Sequence, residues 1–171
     1  MEAKQRLKQR LEFSRGMADQ MLAAFTTPEQ WTYRPHDSAN HALWFVGHMG
    51  TTDNFFLGMI DPSRTVEKES YGELFGLGSQ PSSNPADYPP VEEVIGFMNE
   101  RRQTFLDALD ALSEDDLAKS TPEGSPDFLP DLAAVFEMAA WHEGMHIGQL
   151  SVARRGLGHD PLFSPEPAEA T

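Results

Sequence analysis

The sequence predicts an all-α domain, a four-helix bundle, and three observations carry that expectation. Four segments place apolar residues at helical intervals. Each is roughly 18 to 26 residues long, the length of a bundle helix. No segment alternates with period two for long enough to form a strand. With 171 residues the chain can close one hydrophobic core, and residues 1–163 are expected to form it as a single domain.

The first helix runs from about Ala3 to Phe25 and ends before Thr26, Thr27 and Pro28. Leu7, Leu11, Met17 and Met21 form its apolar side, so Lys4, Arg6, Lys8, Arg10 and Arg15 are expected on its solvent face. The second starts after Ser38 or Asn40, either of which can cap it, and continues to about Leu57. His41, Trp44, His48, Thr52 and Phe55 share one of its faces, and that face is expected to point into the core. The third begins at Pro89-Pro90, where proline suits a first helical turn, and runs to about Leu112 along a stripe of Val94, Phe97, Phe105, Leu109 and Leu112. The fourth begins at Pro130, with Asp131 favourable near its N-terminus, and extends to about Arg155. Arg154 and Arg155 there meet the negative end of the helix dipole, and Gly156 and Gly158 supply the stop.

Between the second and third helices, the stretch from Gly58 to Pro89 is rich in Ser, Pro and Gly, and a loop of about thirty residues is unusual unless it travels. It is long enough to return along a helix of about 30 Å, so these two helices are expected to run parallel, joined by a long crossover. Residues 113–129 form a second irregular link with a helical turn around Glu114 to Leu117, and residues 164–171 are expected to form a disordered tail.

Composition narrows the function. The formal net charge of −14 argues against nucleic acid or an anionic membrane as the main partner. No apolar run is long enough to span a membrane. The charged, amphipathic start does not read as a secretory signal, so a cytoplasmic location is expected. Cysteine is absent, which removes disulfides, thiolate ligands and a cysteine nucleophile; any metal must be held by His, Asp or Glu.

Trp141-His142-Glu143-Gly144-Met145-His146 carries two histidines four apart on a predicted helix, one turn above the other, so both imidazoles can reach one ion. Such ligands suit Zn, Ni, Fe or Mn rather than Ca or Mg. The bland alternative is one histidine satisfied in the core and one in solvent. A third ligand is available on the second helix, where His41 and His48 stand two turns apart, about 10 Å along the axis, too far to share an ion. Spacing alone leaves both open. His48 has the more apolar setting, Leu43 to Met49, whereas His41 sits at the helix start, where it suits capping or lining a pocket.

Glu143 stands where a zinc peptidase keeps its general base, but it lies about 100° round the helix from His142, where a neighbouring helix or solvent is the alternative. Gln149 and Val152 stand where the metzincin extension has its Gly and third His. Asp53 is a candidate partner behind the ligands or an exposed carboxylate, and Gln149 a candidate to orient His146 or to join a dimer seam. Trp44 and Trp141 are candidate pocket walls or core residues, and Arg34, Arg154 and Arg155 candidate contacts for an anionic substrate. His36 and His159 fall in loops and carry no assignment.

The segment Ser38-Ala39-Asn40-His41-Ala42-Leu43-Trp44-Phe45-Val46-Gly47-His48, followed much later by Trp141-His142-Glu143-Gly144-Met145-His146-Ile147-Gly148-Gln149-Leu150, resembles the DinB/YfiT-like superfamily of metalloenzymes. Trp31-Thr32-Tyr33-Arg34-Pro35 also resembles that family's approach to its second helix. The resemblance implies an up-down-down-up bundle, a homodimer, and a divalent metal on His48, His142 and His146. It also implies thiol-dependent S-transfer or hydrolysis of a small-molecule substrate. With no Cys in the chain, the thiol would be a low-molecular-weight cosubstrate. Two alternatives stand beside this reading: a non-catalytic module that binds metal or ligand, and a zinc peptidase using Glu143.

Overall fold

The computed structural model describes residues 2–163, and the tail expected at 164–171 lies outside them. Among the described residues the regular elements are helices: α1 (Ala3–Leu22), α2 (Pro28–Trp31), α3 (Ala42–Ile60), α4 (Glu69–Phe75), α5 (Val91–Ala111) and α6 (Leu132–Gly156). A single isolated bridge, Ser120 to Asp131, pins the link between α5 and α6. The four long helices are the four predicted ones. Their ends follow the local chemistry: Pro90 precedes α5, Asp131 caps α6 by accepting from the Ala134 amide, and Gly158 takes φ +90° just beyond α6.

Two short helices were not anticipated. α2 is a single turn held by a capping box, in which the Thr27 hydroxyl accepts from the Gln30 amide and the Gln30 side chain accepts from the Thr27 amide. α4 lies within the long crossover and buries Tyr71 and Phe75. A seven-residue helix is too short to persist alone; its order comes from packing on α3.

Residue pairings fix how the long helices lie. Gly50 of α3 faces Phe97 and Met98 of α5, Asp53 pairs with Arg102, and Phe56 packs on Phe105, so α3 and α5 run in the same direction. α1 runs against α5: Lys4 donates to the Leu112 carbonyl at the far end of α5 (2.8 Å), while Arg15 reaches the Met98 carbonyl (3.5 Å). The apolar interior falls into two clusters, one around Phe45, Phe75 and Met98, the other around Leu11, Phe105 and Phe136. Between them each long helix contributes charge to a polar layer: Arg15, Asp53, Arg102 and Glu143, all buried.

Two expectations about faces are corrected. Arg15 is not on the solvent side of α1; it sits one turn beyond Leu11 on the apolar stripe, where buried carboxylates neutralise it. Phe55 is not in the core but 55% exposed. It lies two turns past His48 on the face they share, which is buried at Trp44 and His48 but meets solvent here, while Asp53, Phe56 and Leu57 take the interior.

Candidate metal centre

His142 and His146, one turn apart on α6, meet His48 from the middle of α3, and one ligand nitrogen from each lies within 4.8 Å of the others. The Nε2 atom of His142 is 3.3 Å from that of His48 and 3.1 Å from that of His146. His48 and His146 are buried and His142 is half-buried.

The hydrogen bonds on the far side of the rings decide what the three nitrogens present. His48 Nδ1 lies 2.7 Å from the Phe75 carbonyl oxygen, which can only accept, so Nδ1 carries the hydrogen and the Nε2 of the neutral ring offers a lone pair. His146 Nδ1 is set the same way by Gln149 Oε1 at 2.9 Å. The Nε2 of His142 can hold at most one hydrogen for its two neighbours, so at least one of these close N···N contacts has no hydrogen in it. A shared cation resolves that repulsion, and neutral imidazole is the form that ligates. Burial, together with the neighbouring imidazoles, pushes His48 down to about 4 and His142 down to about 3; burial also lowers His146. Donor set, tautomers and charge state thus all fit a divalent ion that takes nitrogen ligands.

Trp44, a candidate for pocket wall or core, is both: it belongs to the core cluster and stacks on the His48 ring at 4.3 Å, with its Nε1 donating to Ser79 Oγ. Of the two roles for which Gln149 was a candidate, its contact with His146 Nδ1 corresponds to the orienting one. His41 is kept apart: its Nδ1 accepts from the Trp44 amide and caps α3, while its Nε2 lies 3.0 Å from the Tyr88 hydroxyl. Neither Ser38 nor Asn40, the expected caps, fills that position.

Glu143 is not brought to the triad. It is fully buried, and among the described residues its hydrogen bonds go to Ser14 Oγ (2.7 Å), Arg15 Nε (2.7 Å) and Arg102 Nη1 (2.8 Å). Arg102 also grips Asp53 through two nitrogens, at 2.8 and 3.1 Å. Two guanidinium groups against two carboxylates leave the layer neutral, and the two arginines help hold Glu143 below its usual range against the opposing effect of burial. Asp53, expected either behind the ligands or in solvent, belongs to this layer. Trp141 points away, 61% exposed, into a groove of 720 Å³ between α1 and α6 lined by Phe13, Met17 and Ile147. Arg34 and Arg154 bind loop oxygens and Arg155 is exposed; none is brought to the triad.

Sequence reasoning overlooked Arg102, Ser14 and the Phe75 carbonyl. The arginines could have been found: Arg15 follows Leu11 by four residues, and Arg102 lies between Met98 and Phe105 on an apolar stripe. A charge in such a stripe calls for a buried countercharge. The Phe75 carbonyl had no signal, because a backbone atom reaches His48 only through the fold.

A depression of 190 Å³ lined by Pro35, His36, Asn40, Gln149 and Val152 includes none of the three histidines and adjoins them only through Gln149, the partner of His146. A search of curated proteins found no match for the sequence. The profile of the DinB superfamily, by contrast, matches residues 10–150, a span that begins in α1 and takes in all three histidines, and the chain therefore belongs to the DinB superfamily.

Proposed function

We propose that this protein is a metal-dependent enzyme of the DinB superfamily, with a divalent ion (Zn, Ni, Fe or Mn) on His48, His142 and His146, acting on a small molecule by thiol-dependent S-transfer or hydrolysis. The observation that carries the reading is the convergence of three imidazole Nε2 atoms, two of them held as lone-pair donors by oxygen acceptors behind the rings. Three neutral ligands leave an ion its full positive charge and open coordination positions. When bound, it supplies Lewis acidity toward a thiol, water or carbonyl group. The protein's own part is to hold the ligands, exclude water behind His48 with Trp44 and Phe75, and leave the half-buried His142 side open.

Glu143 separates this reading from a peptidase. Its oxygens serve Ser14, Arg15 and Arg102, and among the described residues no strand edge is available to align a peptide. A non-catalytic binding module is favoured by one observation: the cavity that His146 lines with His41 and Phe45 has no room for a water molecule. The two differ in turnover. Elemental analysis of untagged protein should give one metal per chain in the wild type and none in His48→Ala. Equal, substoichiometric metal in both would overturn the metal centre. Loaded protein incubated with a low-molecular-weight thiol and an electrophile, and with ester or amide substrates, should show turnover; binding without turnover would favour the module.

The family resemblance also carries a homodimer. The exposed rings of Phe13 (71%) and Trp141 (61%) beside the α1–α6 groove support an assembly face there. Light scattering on the purified chain tests it, a dimer mass being expected.

A further inference from the structure

We infer that Gly47 and Phe75 are positioning residues for the metal centre: the missing side chain at Gly47 seats the Phe75 ring on α3, and the seated residue holds His48 in its ligating tautomer through its backbone carbonyl. The inference rests on the metal-centre reading above.

Phe75 is the last residue of α4, so its carbonyl has no partner within that helix and is free to accept from elsewhere. It accepts from His48 Nδ1 at 2.7 Å. The ring of the same residue is fully buried against α3. A Cβ placed on Gly47 would lie 2.2 Å from its Cγ and 2.4 Å from both Cδ atoms, closer than any side chain tolerates. Those ring atoms belong to a rigid side chain wedged between Tyr71 (5.3 Å between centroids) and Tyr88 (5.8 Å), so they have little room to retreat. Adding a methyl group at position 47 must therefore displace Phe75 itself, and with it the carbonyl.

Gly47 is also the residue immediately before the ligand. One glycine thus sets both the approach of the crossover to α3 and the hydrogen bond behind His48. Trp44, fixed through Ser79 of the same crossover, closes the other side of the imidazole. The segment from Glu69 to Ser79 therefore acts as a clamp on one ligand, while the hydrogen bonds of His142 and His146 involve none of its residues. Loss of an outer hydrogen bond to a ligating histidine costs about ten- to a hundredfold in metal affinity.

The test compares wild type, Gly47→Ala, Gly47→Ala/Phe75→Leu and Phe75→Leu. Long-range ¹H–¹⁵N spectra of the metal-free proteins read the tautomer of each histidine, and Zn²⁺ titration against a chelator reads affinity. In wild type, His48 should carry its hydrogen on Nδ1. In Gly47→Ala that signal should be lost or averaged while His146, held by Gln149, keeps its own, and Zn²⁺ should bind ten- to a hundredfold more weakly. The double variant, with a smaller side chain above the new methyl, should recover part of both. A general loss of structure would disturb His48 and His146 together. An unchanged His48 tautomer with wild-type affinity in Gly47→Ala would overturn the inference. If Gly47→Ala does not fold, Phe75→Leu alone decides, since it loosens the seat without crowding α3, and wild-type behaviour there overturns it equally. Failure of wild type to bind any of Zn²⁺, Ni²⁺, Fe²⁺ and Mn²⁺ would overturn the metal reading instead, and the tautomer spectra would still judge the clamp.

Discussion

Two buried polar clusters lie side by side in this bundle and solve opposite problems. Both draw on α3 and α6: His48 precedes Asp53 by five residues, and His142 is followed directly by Glu143. The layer of Arg15, Asp53, Arg102 and Glu143 balances its own charge, with cations and carboxylates in equal number and hydrogen bonds running among them, and Arg15 Nη2, which makes no hydrogen bond among the described residues, stands 3.6 Å from Asp53. The triad is open. Its N–H groups at His48 and His146 point outward to oxygen acceptors, and their two lone pairs are left facing the Nε2 of His142, which can satisfy at most one of them. Adjacent positions on one helix thus serve a self-sufficient structural tie and a site that is completed from outside. The difference teaches that burial of a charged group beside candidate ligands does not make it part of their chemistry; its partners decide.

The sharpest way to break the comparison is Arg102→Ala. It would strand Asp53 and Glu143 in the interior beside only one arginine, and removal of one partner from a buried ion network costs about 3 to 5 kcal/mol. Urea denaturation should show that loss, and a change under about 1 kcal/mol would mean that water or the remaining arginine restores the layer. Metal should act on the other cluster alone. Zn²⁺ at a hundred times its dissociation constant should raise wild-type stability by about 2.7 kcal/mol, and leave His142→Ala unmoved. An equal rise in both would place the ion elsewhere.

Gln149→Ala comes next in size. It removes the acceptor behind His146 and should weaken metal binding about ten- to a hundredfold, with far-UV circular dichroism unchanged. Wild-type affinity there would show that His146 needs no help with its tautomer. Smallest in stability is Trp141→Ser, an exposed site where the change should stay within about 0.5 kcal/mol. Its effect should appear in assembly, as a shift from dimer to monomer by light scattering, with metal content untouched.

Parts of this structure were legible in the residues alone. Helical spacing, the Pro90 start, the Asp131 cap and the glycines after Arg155 mark the long helices nearly to their ends, because caps and periodicity are local. His142 and His146 were legible as a pair for the same reason. The capping box of α2 was written in Thr27 and Gln30 but spans too few residues to stand out.

What required the fold was everything that depends on which helix faces which. Spacing left both His41 and His48 open, their settings differed, and the resemblance chose between them. The structure then shows why they differ, one capping α3 and the other meeting α6. The position of Arg15 on the Leu11 stripe and of Glu143 off the ligand face was in the residues, but the groups they meet on other helices were not. The crossover helix, the seat of Phe75 on Gly47 and the carbonyl behind His48 leave no trace in local sequence. Periodicity and capping act within a few residues of chain, whereas a countercharge, a close approach or a backbone acceptor comes from segments tens of residues away, brought near only when the core closes.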